Sequence, residues 1–198
     1  RYMEDPLSLI DVGVFGTRVL IELCQKHNVR MLFASTSEVY GKNPNIPWNE
    51  TADRVVGPTN IDRWSYSTAK ALCEHMLFAV HHKEKWPMSI VRFFNVYGPR
   101  QNPIYVVSKS IHRVLNGLSP ELYDGGNQTR CFTYIDDVID GLILAATLDA
   151  AIGEVINLGN PVENNMSEVV DAVLSAANSD LPVINILTSE KNIDYRKI

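Results

Sequence analysis

Val29-Arg30-Met31-Leu32-Phe33-Ala34, running on into Ser35-Thr36-Ser37-Glu38-Val39-Tyr40-Gly41, is the stretch from which the fold can be read. VRMLFA is a short, nearly continuous apolar run, the pattern of a strand buried on both faces of a sheet. It gives way to three small hydroxyl residues where a strand would meet a loop. Upstream, Pro6 to about His27 places Leu9, Val12, Phe15, Val19 and Leu23 at helical spacing. Downstream, Gly41 to Asp62 carries prolines at 44, 47 and 58 and reads as a long loop.

The alternation continues to the end of the chain. Tyr66–His82 has the spacing of a long helix, Met88–Val96 that of a second buried strand, and Gly98-Pro99 stops it. Helices are predicted over Val106–Leu115, Ile139–Leu148 and Ser167–Ala177, with a strand at Glu154–Leu158 and a turn at Asp124–Asn127. Strands alternating with ten-residue helices predict an α/β fold with a parallel sheet covered on both faces. No GxGxxG or GxxGxxG turn occurs, and the chain opens on a helix, as though a first βαβ unit were absent.

Composition narrows the function. The 198 residues are 45% hydrophobic and 21% charged, which excludes disorder and is enough to bury a core. A net charge of −5 argues against nucleic acid or an anionic membrane as partner. No apolar run reaches the ~18 residues of a membrane span, and Arg1–Pro6 has no signal-peptide pattern. Cys24, Cys73 and Cys131 have neither CxxC nor Cys/His spacing, so buried thiols in a reducing, cytoplasmic compartment are expected. Histidines 27, 75, 81, 82 and 112 have no metal spacing, and no metal site is expected.

Two segments carry chemistry. In Tyr66-Ser67-Thr68-Ala69-Lys70, Tyr and Lys four apart share a helix face, with Cβ atoms ~5–6 Å apart. An ammonium beside a phenol favours the phenolate, so the pair can take a proton from a sugar hydroxyl; the spacing also arises by chance in ordinary helices. In Ser35-Thr36-Ser37-Glu38, hydroxyls and a carboxylate follow a buried strand, at the edge where open α/β sheets bind ligands. Ser/Thr with a nearby Glu also suits a helix cap, but the Val39-Tyr40-Gly41 that follows argues against a helix start there.

Taken together, the segments resemble the extended short-chain dehydrogenase/reductase family of nucleotide-sugar epimerases, dehydratases and decarboxylases. The resemblance runs through Tyr2 with Asp5-Pro6-Leu7, STSEVYG at 35–41, YSTAK at 66–70 and RFFNVYGPR at 92–100. It continues through DGGNQTRCFTYIDD at 124–137, INLGNP at 156–161 and Asp194-Tyr195-Arg196. It implies a doubly wound, Rossmann-type NAD domain, residues 1–98 with 131–160, and a smaller C-terminal substrate lobe, 99–130 with 161–198. Thr36-Ser37-Glu38 is similar to the triplet of UDP-glucuronate decarboxylases; dehydratases carry Asp at the middle position to protonate a leaving hydroxyl, which serine cannot do at neutral pH.

The resemblance implies roles for individual residues. Tyr66, Lys70 and Thr36 would oxidise the sugar 4-position, with Ser37, Glu38 and Arg196 acting at the decarboxylating carbon. Ser35, Tyr66, Lys70 and Phe93 would meet NAD. Tyr2, Thr36, Ser37 and Arg63 would meet the sugar, Asn95 and Arg130 the pyrophosphate, and 121–130 the uridine. A UDP-sugar substrate, with UDP-glucuronate favoured, and a homodimer built on a four-helix bundle from 6–27 and 66–82 are the expected partners. The epimerase and dehydratase chemistries, and a non-catalytic nucleotide-sugar-binding relative, remain as alternatives. Gly13 departs from the family, which often has Asn or Asp on the first helix.

Overall fold

Residues 5–187 are described by a computed structural model. They divide into two compact units. One takes the chain as far as Phe94 together with Asp137–Leu158; the other takes Asn95–Asp136 and the chain from Gly159 onward. The expected boundaries lay at 98, 130 and 160. Tyr2 and Arg196 lie outside the described residues.

In the first unit, Asp5 accepts the Ser8 N–H (3.0 Å) and Pro6 opens helix α1 (Pro6–Ile10). A π-helical segment, Asp11–Phe15, joins it to α2 (Gly16–Lys26), so the predicted helix is present with a bulge around Gly13. Strand β1 is Met31–Thr36, two residues further along than the expected run. The long helix α3, Ser65–Glu84, ends at Lys85 in the left-handed conformation, whose N–H bonds the His81 carbonyl at 2.8 Å. Strand β2 is Met88–Phe93 and ends earlier than predicted; its continuation, β3 (Val96–Tyr97), belongs to the second unit.

β1, β2 and β7 (Val155–Leu158) form a parallel sheet in the order β1-β2-β7. Register puts Met31 and Phe33 beside Met88 and Ile90 on one face. Against that face pack Val14 and Ile21 from the first helical run and Ala69, Cys73 and Leu77 from α3. Ile21, Leu77, Met88 and Ile90 are fully buried, each adding roughly 1.5–3 kcal/mol of hydrophobic stabilisation. Helix α5 (Ile135–Thr147) reaches the sheet at Leu158, where a Cβ on Gly141 would strike the leucine side chain. Arg30 fixes the far end of α5 by donating to the Ala145 and Leu148 carbonyls (2.7 and 2.9 Å), a cation on a helix C-terminus.

Residues 41–62 form an ordered loop. Lys42 N–H bonds the Val55 carbonyl at 2.6 Å, Asn43 bonds the Asp53 carbonyl at 2.8 Å, and Trp48 donates to the Asn43 carbonyl at 3.0 Å. Gly57 is required here: a Cβ would fall on the indole of Trp64, the residue that leads into α3. Of the three thiols expected to be buried, only Cys73 is; Cys24 and Cys131 are half-buried, because each lies at the margin of its element.

The second unit pairs short strands: β3 with β6 (Thr133–Tyr134) and β4 (Glu121–Tyr123) with β9 (Ile184–Ile186), both parallel. β5 (Thr129–Cys131) and β8 (Glu163–Asn165) pair antiparallel. Helix α4 (Val106–Leu115) packs on α6 (Met166–Ala176), which begins with a reciprocal cap between Asn165 and Glu168.

Candidate active site

At the carboxyl end of β1 the chain turns directly into a 3₁₀ segment, Ser37–Tyr40, and Thr36 caps it by accepting the Glu38 N–H at 3.2 Å. The cap that the sequence argued against is therefore present, on a 3₁₀ turn rather than an α-helix. Thr36 is used there as an acceptor, which leaves its hydroxyl proton to be donated. Gly41, at φ +66°, closes the turn.

Helix α3 faces this turn, and two contacts bring the predicted segments together. The Lys70 ammonium donates to the Ala34 carbonyl at 2.8 Å and lies 4.8 Å from the centre of the Phe33 ring. Arg63, in the 3₁₀ turn before α3 (Asp62–Trp64), forms an ion pair with Glu38 at 2.5 Å, with side chains 12% and 26% exposed. Arg63 and Lys42 also lie 5.6 and 5.2 Å from the Trp64 ring, so a buried indole steadies two cations. Tyr66 is half-buried on the first turn of α3, one helical turn before Lys70. The 35–38 stretch is thus joined to α3 and the turn before it through Lys70 and Arg63, and Tyr66 lies between those two contacts in sequence. Phe93 ends β2 in register with Thr36.

Burial pushes the Lys70 ammonium below the ordinary lysine range, with Cys73 and Glu74 acting in the opposite direction. Burial also raises the Cys73 thiol, the largest of several influences on it. Beneath the strand end lies a group of charges that the sequence reading did not single out. Glu74 and Arg92 are both buried and meet in a two-pronged ion pair, and Ser35 donates its hydroxyl to Glu74. A charge inside the apolar run MSIVRFF, and a Glu four residues after Lys70, were the available signals.

Asn95 and Arg130 lie in the second unit. Asn95 donates to the Cys131 carbonyl (3.2 Å), and Arg130 to the Thr129 carbonyl (2.6 Å). Both line a cavity of about 260 Å³, together with Tyr123, Gln128 and Lys109. Lys109 was not foreseen. Burial lowers its ammonium, but hydrogen bonds to Glu121 (2.5 Å) and Tyr123 (3.3 Å) prevail and hold it above the ordinary value. Glu121 lines the cavity too and pairs with Lys109, so Arg130 and the Lys109–Glu121 pair make its wall polar and charged. No cluster of three or more metal-ligating side chains occurs among the described residues.

Residues 1–159 match the NAD dependent epimerase/dehydratase family. The chain belongs to that family. Among family relatives, the UDP-N-acetyl-alpha-D-glucosaminuronate decarboxylase of Bacillus cytotoxicus is 36% identical over 187 residues, 93% of this chain and 57% of the relative. The UDP-N-acetylglucosamine 4-epimerase of Methanobrevibacter ruminantium, solved with UDP-N-acetylmuramic acid, superposes with a TM-score of 0.86 at 26% identity, over 99% of this chain and 66% of that one. The UDP-glucuronic acid 4-epimerase of Bacillus cereus, solved with UDP-glucuronic acid and NAD, does so with a TM-score of 0.81 at 27% identity, over 92% and 56%. The chain therefore spans a little over half the length of the curated relative it matches, and the family's parallel-sheet fold is the one observed here.

Proposed function

We propose that the protein is an NAD-dependent nucleotide-sugar decarboxylase that acts on a UDP-linked uronate, UDP-glucuronate in the first instance. One observation carries the reading: Arg63 and Lys70, on either side of Tyr66 in sequence, bond the Thr36-Ser37-Glu38 turn and the end of β1, with serine in the middle of the triplet. The Bacillus cytotoxicus relative, by its name a decarboxylase of a UDP-uronate, supports it.

An ammonium, a phenol and a hydroxyl at the carboxyl end of parallel strands fit the ribose and nicotinamide part of NAD. Tyr66, Lys70 and Phe93 would hold that part. Ser35, its hydroxyl donated to Glu74, would meet it through the backbone. NAD when bound supplies an acceptor for the hydride on the sugar 4-carbon. Tyr66 takes the proton of the 4-hydroxyl, the Lys70 charge favours the phenolate that does so, and Thr36 donates a hydrogen bond to the sugar oxygen. The sugar is then a β-keto acid: the bond from carbon 5 to the carboxylate breaks, carbon dioxide leaves, and the electron pair enters the 4-carbonyl. Carbon 5 then takes a proton that comes from solvent water, and Glu38, held as a carboxylate by Arg63, would orient that water and accept from it. Ser37 can hydrogen-bond the substrate carboxylate, which an aspartate would repel. Arg196 belongs to this step on the family resemblance alone.

Asn95, Arg130 and Lys109 would hold the diphosphate. The homodimer would rest on α1 and the π-helical segment after it, where Leu7, Val12 and Phe15 are 67%, 74% and 62% exposed. A cytoplasmic setting suits three free thiols. The epimerase names of the solved neighbours favour a second reading, UDP-sugar 4-epimerisation. Chromatography coupled to mass spectrometry of products from UDP-glucuronate and NAD separates the two: a lighter UDP-pentose or UDP-4-keto-pentose supports decarboxylation, whereas UDP-galacturonate alone, equal in mass to the substrate but resolved from it by retention, supports epimerisation.

A further inference from the structure

Ser35, Arg92 and Asn157 stand side by side across the sheet, paired in register on β1, β2 and β7. They form a polar row on the face whose preceding rows are the apolar Met31–Met88 and Phe33–Ile90 pairs. Arg92 is 7% exposed, yet each of its nitrogens has an acceptor. Nε and Nη2 donate to the two Glu74 oxygens at 3.0 and 2.6 Å. Nη1 donates to the Tyr40 hydroxyl at 2.7 Å and to the Glu50 carbonyl at 2.9 Å. The Tyr40 hydroxyl donates to Asn157 Oδ1 at 2.7 Å, and the Asn157 backbone N–H donates to the Glu50 carboxylate at 2.9 Å. The network joins α3, three strands, the 3₁₀ turn and the loop.

Such a pair contributes little to stability. Replacing a buried, fully bonded ion pair with apolar residues of similar volume is often neutral or stabilising. What an apolar pair lacks is a single geometry: a forked guanidinium–carboxylate contact fixes distance and direction together. Here it fixes them at a sensitive place. Glu74 lies one helical turn beyond Lys70 on α3, and it takes the hydroxyl of Ser35, the residue immediately before Thr36.

We infer that Glu74, locked by Arg92, is a positioning residue that sets α3 against the end of β1, so that Tyr66 and Lys70 meet the same sugar carbon as Thr36. The inference rests on the reading of Tyr66, Lys70 and Thr36 as the oxidising residues. Glu74 and Arg92 are both buried and act through the Ser35 hydroxyl and the elements they join. Oxidation is sensitive to such placement, because small displacements of a proton acceptor cost rate steeply.

The test uses the whole protein and the double variant Glu74→Leu/Arg92→Met, which removes both charges while keeping approximate volume. The thermal midpoint and UDP affinity are expected to stay close to wild type. KM for UDP-glucuronate and NAD should change less than about threefold, while kcat for substrate oxidation falls by at least about tenfold. Glu74→Asp, which keeps the carboxylate, should recover part of that loss. Ser35→Ala removes only the link to β1; a fall in kcat with KM for NAD unchanged supports the inference even if the double variant fails to fold. Wild-type kcat in a folded double variant, or in Ser35→Ala, overturns it. Tyr66→Phe runs alongside: if that variant is active, the reading beneath the inference is wrong, whereas an inactive Tyr66→Phe beside a fully active double variant defeats the inference alone.

Discussion

If the proposed function holds, Tyr66 carries the largest consequence of any single side chain. Tyr66→Phe removes one oxygen and leaves the ring, so oxidation of UDP-glucuronate should fall at least ~10²-fold, the range for losing a positioned base. UDP affinity, measured by calorimetry, should remain. Lys70 makes the same chemistry depend on pH. Burial lowers its ammonium against the opposing Cys73 and Glu74, so it loses its proton earlier than an ordinary lysine as pH rises. The charge that favours the phenolate is then lost, and the alkaline limb of kcat should fall below the ordinary lysine value of about 10.4. A limb at or above that value in a full pH–rate profile would contradict this. Arg130→Ala should weaken UDP by ~1.5–3 kcal/mol, the value of a hydrogen bond to a charged group; unchanged calorimetric affinity would make Arg130 purely structural.

Helix and strand together decide whether those side chains meet. Leu77 is fully buried where α3 crosses the sheet. Leu77→Ala should cost ~2–5 kcal/mol, read as a lower thermal midpoint. The helices from 6 and 66 and the strand at 88 were legible in the sequence because each repeats its pattern over many residues. The π segment at Asp11–Phe15 was not, because a bulge leaves the apolar spacing almost intact. Helix α5 begins at Ile135, four residues earlier than its apolar pattern, since Asp136 and Asp137 occupy its first turn. Two- and three-residue strands such as β5 and β6 are too short to show a period. Tyr66, Lys70 and the 35–38 stretch were readable because each motif is contiguous. Glu74 and Arg92 were not, since only the fold turns a helix carboxylate and a strand guanidinium into a pair.

For the whole molecule, the expectation concerns assembly and reaction. Among the described residues no helix is long and apolar enough to cross a membrane. Val12 and Phe15 are exposed, and the proposed dimer would cover them. Light scattering should give a dimer, and Val12→Glu/Phe15→Glu should give a monomer; a wild-type monomer would remove the helical interface. Family membership leaves the reaction among epimerisation, dehydration and decarboxylation, and in the proposed function Ser37 is the residue on which the choice turns. The measurement that tests it most directly is release of labelled carbon dioxide from UDP-glucuronate labelled at the carboxylate carbon, with NAD and the whole protein. The account predicts stoichiometric release by the wild type and a sharp loss in Glu38→Gln and Ser37→Asp with UDP binding retained. A wild-type protein that interconverts UDP-glucuronate and UDP-galacturonate, or UDP-glucose and UDP-galactose, while releasing no label would contradict it.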